Sequence, residues 1–462
     1  MKAWPRSFIR NQQFLLKAAR FIYHLLPYSI TRLDREFWNY YNFLISCENK
    51  TRQELESFQF SELKRIVGLA YTQSIFYYEK YKTAGFHPDQ LKQLSDVSLI
   101  PRLSKEEIRL HAERMVLRTY KIGSLSIAKT SGTTGKALKL YTDRKVESRE
   151  WASICYQWRR IGYKPEDPRV ELRGYVEDEK LFQYIKHANI LRINVIVMSE
   201  QNISTVVNEM VKSKIRFIHG YPSAVVKFTK FLNDHQRGLM SDQINGIMLA
   251  SESVFSWQLE YLNRRWNKPI VSHYGLSEKV ALGARWPGVQ EYYFLPTYGI
   301  LHEFDHLNIC ATSLINDVMP VINYKLDDSI KLRNLSLDKE RQNLFPVAFE
   351  IEGRLEDVTY NFEKNPIPPA IVTFPFKDLV FVKNARIVQD SYDVIELHVE
   401  VDSENLKSSE EQSQKSPDDE LSQLVSDLKK IYGPIDIKII KEKSLLTTNT
   451  KVRWVECRIK NV

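Results

Sequence analysis

The chain has 462 residues, of which 43% are hydrophobic and 27% charged. That composition excludes a collagen, a wholly disordered chain and a disulfide scaffold, and the length exceeds what one ordinary core holds. Lys and Arg total 66 against 57 Asp and Glu, a formal charge of +9. A mild basic excess suits anionic partners such as nucleotides, coenzyme A, an acidic membrane surface or nucleic acid, and does not choose among them.

The segment Met1–Ile30 alternates Lys2, Arg6, Arg10, Lys17 and Arg20 with Phe, Leu and Ile. It lacks the long apolar stretch and small-residue site of a signal peptide. A basic amphipathic helix there could lie weakly on a membrane surface, but packing against the protein's own body is the expected use. No apolar run reaches the length needed to span a bilayer. The four cysteines, Cys47, Cys155, Cys310 and Cys457, form no CxxC and no zinc spacing. They read as reduced thiols of a cytoplasmic protein.

Residues 34–120 read as helical, with Phe58, Leu63, Ile66, Val67, Ala70 and Tyr71 at helical spacing. Pro88 and Pro101 punctuate loops, and Ser104 with Glu107 predicts a capping box. From about 124 short strands alternate with helices: Ile193–Met198, Phe217–Ile218, Ile247–Ala250 and Ile270–Ser272. This alternation predicts a mostly parallel sheet with covered faces. Strands are expected at Gly299–Phe304 and Val318–Tyr324, and a boundary at Gly353–Asp357. Beyond it, strands are expected at Ile371–Phe374, Leu379–Val382, Val394–Val401 and Ile435–Ile440, and a helix at Leu421–Ile431. Ser403–Asp419 is polar and low in complexity and reads as a mobile loop. The expected architecture is an α/β large domain, 1–353, whose first 120 residues are helical, followed by a small mobile α+β domain, 354–462.

The most informative segment is Lys129-Thr130-Ser131-Gly132-Thr133-Thr134-Gly135-Lys136. Its glycines, hydroxyls and lysines suit phosphate oxygens. It is not a Walker A loop, because Thr130 stands where that motif needs glycine and Ala137 follows the lysine. The plain alternative is a polar hairpin, with Lys139–Thr142 as the returning strand. The stretch resembles the phosphate loop of the adenylate-forming enzymes: acyl-CoA synthetases, luciferases and peptide-synthetase adenylation domains.

Four further motifs resemble that family's in the same order, and two more segments between the first and second motif do so as well. Upstream of the second motif, His219-Gly220-Tyr221-Pro222-Ser223 is similar to a segment lining the acyl pocket, and Leu249-Ala250-Ser251-Glu252 to a strand end lining adenine. Tyr274-Gly275-Leu276-Ser277-Glu278 follows an apolar run, at a strand end where open α/β sheets bind ligands. The resemblance implies that Tyr274 stacks on adenine, Ser277 approaches phosphate and Glu278 holds Mg²⁺. Tyr324-Lys325-Leu326-Asp327-Asp328 is similar to Tyr-Arg-Thr-Gly-Asp, which makes Asp328 the favoured ribose ligand and Asp327 the alternative. Gly353-Arg354-Leu355-Glu356-Asp357 resembles the interdomain hinge, with Arg354 on the nucleotide and Glu356 as the pivot. Thr450-Lys451-Val452-Arg453 is similar to Gly-Lys-x-Arg, which makes Lys451 the catalytic lysine, with Thr450 in place of glycine.

The phenylacetate–CoA ligase-like and CapK-type capsular polysaccharide branch resembles the chain most. Glu54–Ala70, Tyr71, Tyr77, Tyr78 and Ile100–Ile108 carry that likeness outside the nucleotide motifs. It runs from about residue 34 to the C-terminus, without Ser403–Asp419. It implies ATP and Mg²⁺, with CoA as a candidate acceptor, in formation of an acyl-adenylate that passes to a thiol or amine. Surface polysaccharide or secondary-metabolite synthesis is the implied setting. Two other classes stay open on the sequence: a catalytically weak nucleotide- or acyl-binding homologue, and a basic nucleic-acid-binding protein. No basic stripe interleaved with aromatics supports the last. The many Tyr and Phe residues would permit contact between two copies.

Overall fold

The structure is a computed structural model. Its described residues are 28–129, 138–174, 180–252, 254–305, 308–326, 328–332, 347–352, 358–367, 369–372, 375–376, 381–401, 416–442 and 455–459. The N-terminal amphipathic segment up to residue 27, most of Ser403–Asp419 and the Gly353–Asp357 boundary lie outside them.

The helical opening follows its local signals. Helix α1 (Arg35–Ser46) starts at Asp34, whose carboxylate accepts from the Phe37 N–H. A Thr51–Glu54 capping box opens α2 (Arg52–Gln73), Ser74 caps α3 (Ile75–Thr83), and the expected Ser104–Glu107 box opens α4 (Lys105–Met115). Each box satisfies N–H groups that the first helical turn cannot bond internally.

Strand β1 (Ser126–Lys129) then pairs antiparallel with β2 (Lys139–Thr142), placing Lys129 opposite Lys139. Helix α5 (Arg144–Trp158) leads into the large sheet. Its strands are β3 (Arg169–Gly174), β4 (Phe182–Ile185), β5 (Ile190–Asn194), β6 (Phe217–Gly220), β7 (Gly246–Ala250), β8 (Ile270–Gly275), β9 (Leu282–Arg285), β10 (Tyr292–Phe294), β14 (Ser329–Leu332) and β15 (Val347–Glu352). Their spatial order is β14-β15-β10-β9-β8-β7-β6-β3-β5-β4. The centre, from β5 through β3, β6 and β7 to β8, is parallel as expected. Both flanks are antiparallel, so the sheet is mixed rather than mostly parallel. Among the described residues, α-helices connect β5 to β6, β6 to β7 and β7 to β8, the kind of crossover that parallel strands need.

Alternation along the central strands covers both faces. Phe217, Met248 and Val271 pack with α1 and α5. Ile218, Ile247 and Leu249 pack with α6 (Ile203–Lys212), α7 (Pro222–Phe231) and α9 (Ser256–Trp266), while α8 (Asp234–Ser241) lies between the last two in sequence. A strand buried on both faces reads as a continuous apolar run, which is why these runs were legible.

Strands β11 (Gly299–Asp305), β12 (Asn308–Ser313) and β13 (Tyr324–Lys325) form a second, antiparallel sheet. The expected strand Val318–Tyr324 reduces to its last residue. Pro320 lacks an N–H, and Asn323 turns through the left-handed region at φ 48°. Other groups satisfy this buried backbone: Tyr77 donates to the Pro320 carbonyl at 2.8 Å and accepts from the Ile322 N–H at 3.2 Å.

The C-terminal part opens with β16 (Thr359–Tyr360) and β17 (Pro366–Ile367). It then builds a four-stranded sheet, β20-β19-β18-β21, from β18 (Val382–Gln389), β19 (Val394–Val401), β20 (Asp436–Glu442) and β21 (Val455–Cys457). Helix α11 (Pro417–Tyr432) packs Leu421, Leu424 and Leu428 into the core beneath it. Ser416 caps α11, so the polar loop expected to run to Asp419 ends earlier, where Asp419 completes a capping box. Of the expected strand Ile371–Phe374, Ile371 and Val372 instead end a short helix, α10 (Pro369–Val372), beginning at a proline whose fixed φ suits a first helical turn.

Candidate active site

The site starts where β8 ends. Gly275 and Ser277 are exposed, and the Lys279 N–H closes the turn on the Leu276 carbonyl at 2.9 Å. This turn carries Glu278 back into the protein, where it is 8% exposed and its Oε1 accepts from the Tyr324 hydroxyl at 3.1 Å. The Tyr274 hydroxyl donates to Asp328 Oδ2 at 2.7 Å. Burial pushes the Tyr274 phenol well up, and the negative charges of Asp328 and Glu278 add to it. Tyr274, Glu278, Tyr324 and Asp328 therefore form one polar cluster, though 54 residues separate the first from the last.

The neighbouring parallel strands bring two more predicted segments alongside. At the end of β7, Ser251 is exposed and sits at φ 68°. Glu252 Oε2 accepts from Ser223 Oγ at 2.7 Å and from the Ser223 N–H, at the start of α7, at 3.3 Å. Its Oε1 is buried without a hydrogen-bond partner. Burial raises the Glu252 carboxyl to about 7 against the opposing bonds from Ser223. At the end of β6, Gly220 packs so closely on β3 that a Cβ would lie 2.7 Å from the Leu172 carbonyl oxygen. His219 is buried, with its ring 4.8 Å from Trp158 and 6.2 Å from His273. Tyr221 is partly buried against the core.

The stretch Thr130–Ala137, with Thr130, Ser131, Gly132, Thr133, Thr134, Gly135 and Lys136, lies outside the described residues. Its bounding strands are rooted beside the cluster, because Leu138 and Leu140 share an apolar core with Tyr324 and Leu326, against which Tyr274 and Leu276 pack. Arg354, Glu356, Thr450 and Lys451 also lie outside the described residues, as does Asp327. Among the described residues no three His, Cys, Asp or Glu side chains could hold a metal together. A single buried carboxylate still fits Mg²⁺, a hard cation that takes one or two protein oxygens and completes its shell with water and phosphate.

Sequence reasoning missed two features of this cluster. One is the Tyr324 hydroxyl as the donor to Glu278. The other is Lys279, 7% exposed, whose ammonium pairs with Glu150 of α5. The only signal for the second was a lysine directly after a motif, and Glu150 lies 129 residues away.

No family model matches the chain. It is 22% identical over 360 residues to Protein CapK of Staphylococcus aureus, spanning 74% of this chain and 77% of that protein. It is 24% identical over 314 residues to phenylacetate-coenzyme A ligase of Escherichia coli (strain K12), spanning 62% and 69%. The fold superposes on 2-hydroxyisobutyryl-CoA ligase, solved with 2-HIB-AMP and CoA in its thioesterification state, at a TM-score of 0.58. That alignment has 14% identity and covers 88% of this chain and 90% of the other. Its fold is that of the adenylate-forming acyl-CoA ligases. The likeness to CapK and phenylacetate-coenzyme A ligase is the one that the motifs implied. The adenylate-forming fold also accounts for the mixed sheet, whose parallel centre carries the candidate site at its carboxyl edge.

Proposed function

We propose that the chain activates a carboxylic acid with ATP and passes the acyl group to a thiol, with CoA the first candidate, or to an amine. The acid carboxylate attacks the α-phosphorus and pyrophosphate leaves. The acceptor then attacks the acyl carbon of the acyl-AMP and AMP leaves. The observation that carries this reading is the cluster of Tyr274, Glu278, Tyr324 and Asp328 beside Ser251 and Glu252, at the carboxyl ends of adjoining parallel strands. Asp328 can accept two hydrogen bonds from a ribose diol, and the Tyr274 ring offers adenine a face. Gly275 and Ser277 line the approach to phosphate.

Thr130–Lys136 supplies N–H groups and hydroxyls to the phosphates, and His219, Gly220 and Tyr221 line the acid's pocket. Mg²⁺ held by Glu278 and the phosphates would neutralise the charge that otherwise opposes carboxylate attack. Lys451 bridges the carboxylate and the α-phosphate, Arg354 contacts the nucleotide, and rotation about Glu356 carries the segment 354–462 between the two steps. Assembly of surface polysaccharide or of a secondary metabolite is the setting, and four unbridged cysteines suit a cytoplasmic site of action.

Acid-dependent release of pyrophosphate from ATP tests the reading, with CoA and amines compared as acceptors. Lys451→Ala should abolish that release while ATP still binds. ATP binding without acid-dependent release by the unaltered chain would make it a nucleotide-binding homologue instead.

A further inference from the structure

The turn that carries Glu278 is held by contacts that nothing in the nucleotide motifs requires. Lys279 follows Glu278 directly and sits at φ 56°, in the left-handed region that a lysine rarely occupies. Such a conformation persists only where the surroundings over-determine it. Here its N–H is bonded to Leu276, and its side chain, 8% exposed, runs inward to the Glu150 carboxylate. The buried Tyr298 hydroxyl also bonds that carboxylate. Val280 comes next and is fully buried, and its carbonyl lies so near Gly299 that a Cβ on that glycine would fall 2.0 Å from the oxygen. Glu278 is thus followed by a charge that must stay paired and by backbone that cannot shift. Removing one partner of a buried pair leaves an uncompensated charge, which the turn would relieve by moving Lys279 toward water.

We infer that the Lys279–Glu150 ion pair is a positioning device for the Glu278 carboxylate, setting its competence to share a divalent cation with the nucleotide. The inference rests on the adenylation reading above. Neither residue touches the substrates in this account, since both act through the backbone of Glu278. A turn of the same sequence left to solvent would let Glu278 swing over several rotamers. The pair restricts it to the direction in which Tyr324 meets it.

The test uses the full chain and two readouts. Mn²⁺ is titrated in the presence of a non-hydrolysable ATP analogue and followed by electron paramagnetic resonance. Separately, the Mg²⁺ concentration giving half-maximal pyrophosphate release is measured at saturating acid. K279M and E150Q should each raise both values about tenfold, the low end of what loss of an outer-shell partner costs a metal site, with the KM for the acid unchanged. K279R, which keeps a cation on Glu150, should stay within about threefold of the unaltered protein. Unchanged Mn²⁺ and Mg²⁺ dependence in K279M or E150Q, with only the melting temperature lowered, would overturn the inference and leave the pair a fold anchor. If K279M does not fold, E150Q decides, because the Glu150 side chain is 27% exposed and tolerates the amide. Failure of the unaltered protein to release pyrophosphate would sink the adenylation reading, and the Mn²⁺ titration would still decide this one. Absence of Mn²⁺ binding by the unaltered protein overturns it too.

Discussion

Tyr274 and Asp328 are joined by a hydrogen bond of 2.7 Å between the phenol and Oδ2, which ties the end of β8 to the residue just before β14. The bond ties the side chain proposed to face adenine to the carboxylate proposed to take the ribose. Asp328→Asn replaces an anionic acceptor by an amide with one acceptor oxygen. ATP affinity should fall about tenfold or more, since bonds to charged groups contribute roughly 1.5–3 kcal/mol. Tyr274→Phe keeps the ring and should cost about threefold or less. Calorimetric titration with ATP checks both, and equal losses would remove Asp328 from the ribose.

Tyr324 is 2% exposed and donates to Glu278 Oε1. Tyr324→Phe removes this one hydrogen bond from the buried carboxylate. Stability should drop by about 1–3 kcal/mol, read as a lower urea midpoint with an unchanged slope. Pyrophosphate release should need more Mg²⁺ than before. A midpoint identical to that of the unaltered protein would show that water replaces the phenol at no cost.

Glu252 gives a pH signature of known sign. Burial raises its carboxyl from 4.5 to about 7 in the folded chain. Between these values the folded state holds a proton that the unfolded state has released, so stability from this group falls as pH rises through the window. Glu252→Gln removes the titration. The variant should match the unaltered protein near pH 4.5 and exceed it by about 3 kcal/mol at pH 8, in urea melts across that range. A difference that does not change with pH would contradict the burial of this charge.

Gly299 faces the Val280 carbonyl with no room for a side chain. Gly299→Ala should destabilise the fold by about 3 kcal/mol or more, because backbone rather than a flexible side chain must yield. The loss should appear in thermal melts even without ligand. Gly238, which meets nothing within 4 Å, is the control, and Ala there should be neutral or slightly stabilising.

Much of this protein is written locally in its sequence. The Ser104–Glu107 cap and the strand Val394–Val401 could be read from neighbours a few residues apart. The strand end before Tyr274 was legible too, because a parallel strand covered on both faces must be apolar throughout. The same reasoning failed at Val318–Tyr324 and Ile371–Phe374. Apolar content alone does not distinguish a strand from buried irregular chain or a short helix, and prolines at 320 and 369 set those outcomes. The resemblance of five segments indicated one cleft, while their pairing came from the fold. The choices of Tyr324 for Glu278, Glu150 for Lys279 and Gly299 for Val280 were made by how sheets and helices stack. Periodicity and capping act within a turn or two of chain. A buried charge or a close backbone contact is settled between residues that meet only once the core has formed.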